Sequence, residues 1–163
     1  MGYTTNFMGV FTLDRPLDEK YAAYLRKFKD TRRIKRNEEV TAAREDEVRE
    51  ATGLPVGDEG GYYVGSESFM GQDKQSDAGV VDSNSPPKGQ PGLWCQWTVG
   101  ENNDTIEWDR GEKFYSYQEW LVYIVDHFLK PWGYILNGGV AWQGEEESDT
   151  GILVVDNNKV SSL

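Results

Sequence analysis

Between Leu93 and Asp109 apolar and polar side chains alternate one for one. Leu93, Cys95, Trp97 and Val99 share one parity, and Trp94, Gln96 and Thr98 the other. After the turn Gly100-Glu101-Asn102-Asn103-Asp104, Ile106 and Trp108 point one way, and Thr105, Glu107 and Asp109 the other. Successive strand side chains point to opposite faces. The segment therefore reads as a β-hairpin with one apolar and one polar face, the signature of an antiparallel sheet covered on one side.

The covering layer is legible in two further segments. Tyr21, Tyr24, Leu25 and Phe28 recur at i, i+3, i+4 and i+7 behind Asp18, a good N-cap, with Glu19 in the first turn. Ser116 and Glu119 have capping-box spacing. They precede the stripe Tyr117, Trp120, Leu121, Ile124, Val125 and Phe128, which Pro131 and Gly133 end. Phe7, Phe11 and Leu13 alternate as a strand that Asp14-Arg15-Pro16 stops. Residues 134–144 and 152–155 read as strands around the acidic turn Glu145-Glu146-Glu147-Ser148-Asp149. Asn137-Gly138 is either a tight hairpin turn or a bulge within one long strand. Glu38 to Thr52 reads as a weak surface helix or an ordered loop, and Tyr62-Tyr63-Val64 as a short β segment. Gly71 to Gly92 is too long for an ordinary connection.

These elements predict an α+β fold. The expected architecture is a two-layer sandwich: an antiparallel sheet of about five strands with two main helices on one face, ferredoxin-like as the nearest topology. One domain over 1–163 with a long loop at 71–92 fits the length, and 21 aromatic residues supply its core.

Charge is divided along the chain. Residues 1–53 hold 11 basic and 10 acidic residues, residues 54–163 hold 6 and 18, and the net charge is −11. That balance repels nucleic acid and leaves a mimic of DNA as a remote option, against which the basic cluster stands. No apolar run reaches the ~20 residues of a membrane span. The N-terminus lacks a basic, apolar leader, so a cytoplasmic protein is expected. A single cysteine, Cys95, and a single histidine, His127, leave no Cys/His zinc set. No GxxxxGK[ST], GxGxxG or GxSxG motif occurs, and no cofactor is expected.

Three groups of side chains invite a functional reading. Trp94 stands on the polar face beside Gln96, Glu107 and Asp109; either the 71–92 loop covers its ring or a ligand or partner does. Glu107 and Asp109 could act as an acid/base pair or hold a cation, against an ordinary solvated face. On a continued helix, Arg26, Lys29, Arg33 and Arg36 would form one basic stripe, with Arg32 and Lys35 beside it, suited to phosphate. Otherwise that stripe pairs with the chain's own acidic surface. Cys95 and His127 read as structural.

The strings Asn84-Ser85-Pro86-Pro87, Gly89-Gln90-Pro91-Gly92-Leu93-Trp94-Cys95-Gln96-Trp97, Ile106-Glu107-Trp108, Gly111-Glu112-Lys113-Phe114-Tyr115 and His127-Phe128-Leu129-Lys130-Pro131 resemble a group of small bacteriophage and bacterial proteins of unknown function. The resemblance implies a phage or bacterial setting and carries no activity. The leading expectation is a non-enzymatic binding protein, a phage accessory factor acting on a host protein. The alternatives are a small nucleotide- or anion-binding protein, or a small hydrolase using the acidic residues of the sheet face.

Overall fold

The computed structural model describes residues 2–65 and 72–163. In chain order its elements are β1 (Asn6–Met8), β2 (Phe11–Leu13), α1 (Glu19–Asp30), β3 (Lys35–Arg36), α2 (Glu38–Ala42), α3 (Glu47–Thr52), a 3-10 turn (Asp58–Gly60), β4 (Val80–Asp82), β5 (Trp97–Val99), β6 (Thr105–Trp108), α4 (Tyr117–Ile124), a π turn (Val125–Leu129), β7 (Leu136–Gln143), β8 (Thr150–Asp156) and β9 (Lys159–Ser162). They form two compact units. One comprises Met1–Asp18 and Gln96–Leu163, the other Glu19–Cys95. The fold is α+β.

The first unit is built on a seven-stranded antiparallel sheet of order β5-β6-β2-β7-β8-β9, with β1 also on β7. That is more than the five strands expected, for two reasons. Phe7 to Leu13 is not one strand but two, because Gly9 turns to φ +106° between β1 and β2. Both halves pair with β7, and alternation survives the break: Phe7, Phe11 and Leu13 are all buried. The second reason is β9. Asn157 and Asn158, both at positive φ, reverse the chain so that Lys159–Ser162 pairs back on β8.

Asn137-Gly138 makes no hairpin turn. It lies inside β7, which pairs with β8 in unbroken register from Gly138 to Gln143. Glycine is required there because Gly138 has φ +136° and a Cβ would come 3.2 Å from the Phe11 Cα and the Val10 carbonyl. β2 is thus drawn tightly against β7.

The core of this unit is aromatic. The Phe7 ring lies 5.3 Å from Trp97, 5.3 Å from Trp108, 5.9 Å from Phe114 and 5.1 Å from Tyr117, centroid to centroid. Edge and tilted contacts of this kind are favourable. Trp97 is buried, and its indole N–H donates to the Tyr117 carbonyl at the start of α4 (2.8 Å). Trp108 is only half-buried. The expected capping box is not formed: Ser116 sits at φ 56° and its side chain makes no capping bond. The last turn of the helix widens, with Lys130 N–H on the Val125 carbonyl, and both Phe128 and Leu129 are buried.

In the second unit, α1 starts where Asp18 and Glu19 predict, and it buries Tyr24, Leu25 and Phe28. It ends at Asp30, soon after its apolar stripe runs out. Thr31 Oγ1 donates to the Lys27 carbonyl, one of the acceptors a helix end leaves open. The helical basic stripe therefore does not exist: Arg33 and Arg36 lie beyond the helix, and Arg36 is in β3, which pairs with β4 inside the long 71–92 connection. Glu38 to Thr52 forms two short helices. Asn37 caps α2 through Val40 N–H, and Gly53 ends α3 at φ +81°. Tyr62-Tyr63-Val64 is not a strand, because side chains take its backbone groups. Arg33 donates to the carbonyls of Gly61 (3.1 Å) and Tyr63 (2.6 Å), Tyr24 Oη to that of Tyr62 (2.8 Å), and Asp46 accepts Val64 N–H. Asp46 is fully buried; burial pushes its carboxyl up, and the ion pair with Arg49 opposes this.

These contacts rank two tryptophans. Trp97→Ala should cost about 3–5 kcal/mol, the usual loss for a core aromatic. Trp108→Ala should cost less, under about 2 kcal/mol, because its ring already meets water. Urea unfolding of both variants checks the order; equal losses would contradict this core.

Candidate functional site

The end of α1 and the segment after it enclose a cavity of about 310 Å³ in the second unit, lined by Asp30, Thr31, Arg32, Arg36, Tyr63, Val64, Gln72, Asp73 and Trp94. It brings together Trp94, Arg32 and Arg36, which the sequence had placed in separate candidate groups.

Arg36 is the unusual member. Its side chain is 3% exposed, yet it keeps its charge in a partly apolar setting. One Nη donates to the Gln72 carbonyl (2.6 Å), and the guanidinium carbon lies 4.8 Å above the Tyr63 ring. Its buried Nε has no hydrogen-bond partner among the described residues. Burial, and then the neighbouring Arg33 charge, push the guanidinium down to about 10, so it remains cationic at neutral pH. A buried donor left unmatched is costly, and a buried cation calls for an acceptor.

Arg32 is half-buried and donates through Nε and Nη2 to the Ser83 carbonyl. Among the described residues neither Arg32 nor Arg36 has a carboxylate within ion-pair distance. Tyr63 donates its hydroxyl to Gln72 Oε1 (2.6 Å), and burial raises its phenol. Trp94 follows the Gly-Pro-rich connection outside any strand, and its side chain is 42% exposed. The ring is thus neither sealed into a minor core nor left wholly in water. Asp30 and Asp73 supply acceptors on the same lining, and Asp30 is paired with Lys29 (2.9 Å).

Arg33 is in the second unit but not on this lining. It is fully buried, with its guanidinium 4.2 Å over the Phe28 ring and its donors on the Gly61 and Tyr63 carbonyls. Its role is structural.

Gln96, Glu107 and Asp109 belong to the first unit and share one face of the β5–β6 ribbon, as alternation predicts. Each is turned to a local partner. Gln96 donates to the Glu112 carbonyl and accepts the Trp108 indole N–H (3.3 Å), Glu107 accepts the Thr105 hydroxyl (2.9 Å), and Asp109 accepts Gly111 N–H (2.7 Å). No group of three or more His, Cys, Asp or Glu side chains among the described residues is placed to hold a metal ion. Cys95 is buried, and His127 stacks on Tyr123 at 3.9 Å, where partial burial lowers its pKa. Among the described residues no helix is long and apolar enough to cross a membrane.

Tyr63 and Gln72 were missed in the sequence, since nothing in their spacing ties them to Arg36. Comparison with family models, with curated proteins and with solved structures gives no match.

The different duties of the arginines are measurable. Arg33→Met should destabilise the chain by at least ~2 kcal/mol, because it strips two carbonyls of a buried donor. Arg32→Met, at a partly exposed position, should stay within about 1 kcal/mol. Denaturant midpoints of the two variants test the distinction.

Proposed function

We propose that this chain is a non-enzymatic binding protein whose second unit takes a small anionic ligand with a flat ring, of the mononucleotide class. The observation that carries this reading is the junction of Trp94 with Arg32 and Arg36 on one cavity, where a buried Arg36 donor has no partner among the described residues. A phosphate supplies acceptors for guanidinium donors. A half-exposed indole offers a face on which a base stacks, a contact worth about 1–3 kcal/mol. The size is consistent: about 310 Å³ lies at the lower end of the ~300–1,000 Å³ range of ligand pockets. That favours a mononucleotide over a dinucleotide. Asp30 and Asp73 can accept the N–H groups of a base. The phage or bacterial setting implied by the sequence strings is part of the same proposal, as is action beside a host protein.

Calorimetric titration with AMP, adenosine and inorganic phosphate tests it. AMP should bind, and adenosine and phosphate should each bind at least tenfold more weakly, since each engages half of the site. Arg36→Met and Trp94→Ala should each lower AMP affinity at least tenfold, and Trp94→Ala should do so without shifting the melting temperature by more than a few degrees. Affinity should be flat between pH 7 and 9, where Arg36 stays charged. No measurable heat with AMP at millimolar concentration would reject the reading, as would retention of affinity in both variants.

A further inference from the structure

The sheet of the first unit has a second face, and its character changes from one half to the other. On β5, β6 and β2 the outward side chains are Thr98, Glu107, Thr105 and Thr12, all polar. On the β1–β7–β8 side one cross-strand row of them is apolar, next to the polar row Asn6, Gln143 and Thr150. Met8 pairs with Ala141, Ala141 with Ile152, and Ile152 exchanges backbone hydrogen bonds with Leu163. Residues directly opposite one another point to the same face, so these four form one cross-strand row. Three of them are strongly exposed: Met8 60%, Ile152 42% and Leu163 83%. Val154 lies in the next row, and Val10 is also exposed. The row runs into a cleft of about 380 Å³ beside Met8 and Val10, at the break between β1 and β2, where Glu107, Trp108 and Arg110 form the other wall.

Isolated apolar residues on a surface need no explanation, but a contiguous strip marks a contact surface. Four residues at successive strand spacings span about 14 Å, the length of roughly ten helical residues. An amphipathic helix is the element that most often covers the apolar face of a sheet. Charge chooses between occupants. This unit holds 14 Asp and Glu against 5 Lys and Arg. Glu145, Glu146 and Glu147 stand exposed in the β7–β8 turn at one end of the strands, and Asp156 closes β8 at the other. A second copy would bring the same carboxylates against their like. We infer that this face is a docking surface for a cationic amphipathic helix of another protein, its apolar stripe on Met8, Ile152 and Leu163 and its basic flanks against the Glu145–Glu147 turn. The inference concerns the first unit and is independent of the ligand proposed for the second.

The test uses the full chain and synthetic helices of about 14 residues with Leu on one face. One carries Lys on the other face, one carries Glu, and a third has Lys with Ser in place of Leu. Fluorescence anisotropy should give binding of the Lys/Leu helix that weakens with salt, with the other two at least tenfold weaker. The triple variant Met8→Thr, Ile152→Thr and Leu163→Thr should lose at least tenfold, as should Glu146→Lys with Glu147→Lys. Leu163→Thr alone, at the last residue, gives a partial loss if the triple variant does not fold. Equal binding of the Glu/Leu helix, or an unchanged affinity in the Leu163→Thr and Glu146→Lys/Glu147→Lys variants, would overturn the inference. So would sedimentation showing that the chain dimerises through this face, or adsorption to neutral lipid vesicles that the Thr substitutions abolish.

Discussion

A guanidinium taken out of water must be given acceptors, and in the second unit Arg33 determines where they come from. Its donors reach the carbonyls of Gly61 and Tyr63, and its flat face lies on Phe28. Those three contacts tie the end of α1 to a segment that has no ladder of its own. Once Tyr63 is fixed, its ring supports Arg36, and its hydroxyl orients Gln72, whose carbonyl takes one Arg36 donor. The cavity beside Trp94 is therefore a product of how two cations are buried. Desolvation of these cations is offset by carbonyl dipoles and aromatic faces, and the Arg36 Nε has no partner among the described residues.

The first unit follows a different logic. Its sheet is organised around β7, which holds β1 and β2 on one edge and β8 on the other. Gly138 lets β2 approach, and the aromatic cluster around Phe7 fills the space between sheet and α4. The same alternation that sends Phe7 and Leu153 inward sends Met8 and Ile152 outward. The inner and outer faces are thus two consequences of one register.

Much of this was readable from side-chain periodicity. The parity of Phe7, Phe11 and Leu13, the α1 stripe from Tyr24 to Phe28 though not Tyr21, and the alternation of Cys95, Trp97 and Val99 appear as burial in the structure. What could not be read has physical reasons. β9 is largely polar, with Val160 its only apolar residue, so its place depends on pairing with β8 rather than on pattern. β3 and β4 are too short to show a period. Arg33 and Arg36 read as solvated because arginines usually are; their burial depends on carbonyls and rings far along the chain. For the candidate site, Trp94, Arg32 and Arg36 were each singled out, but nothing local announced that they share a cavity. The polar face of the hairpin was legible, yet its carboxylates are occupied by neighbours within a few residues.

The division of the chain has a consequence for its synthesis. The second unit is one uninterrupted segment, Glu19–Cys95, whereas the first is assembled from both sides of it. On a ribosome the inner segment is complete before any of β5 to β9 has been made. β1 and β2 emerge before it, but β7, their shared partner, lies at Leu136–Gln143. These two strands therefore lack their ladder on β7 until that segment has been made. Pairings of such long sequence separation form slowly, and exposed strands with apolar side chains are the species on which nascent-chain chaperones act. The Asn and Thr residues that flank Phe7 and Phe11 keep that waiting segment from being uniformly apolar.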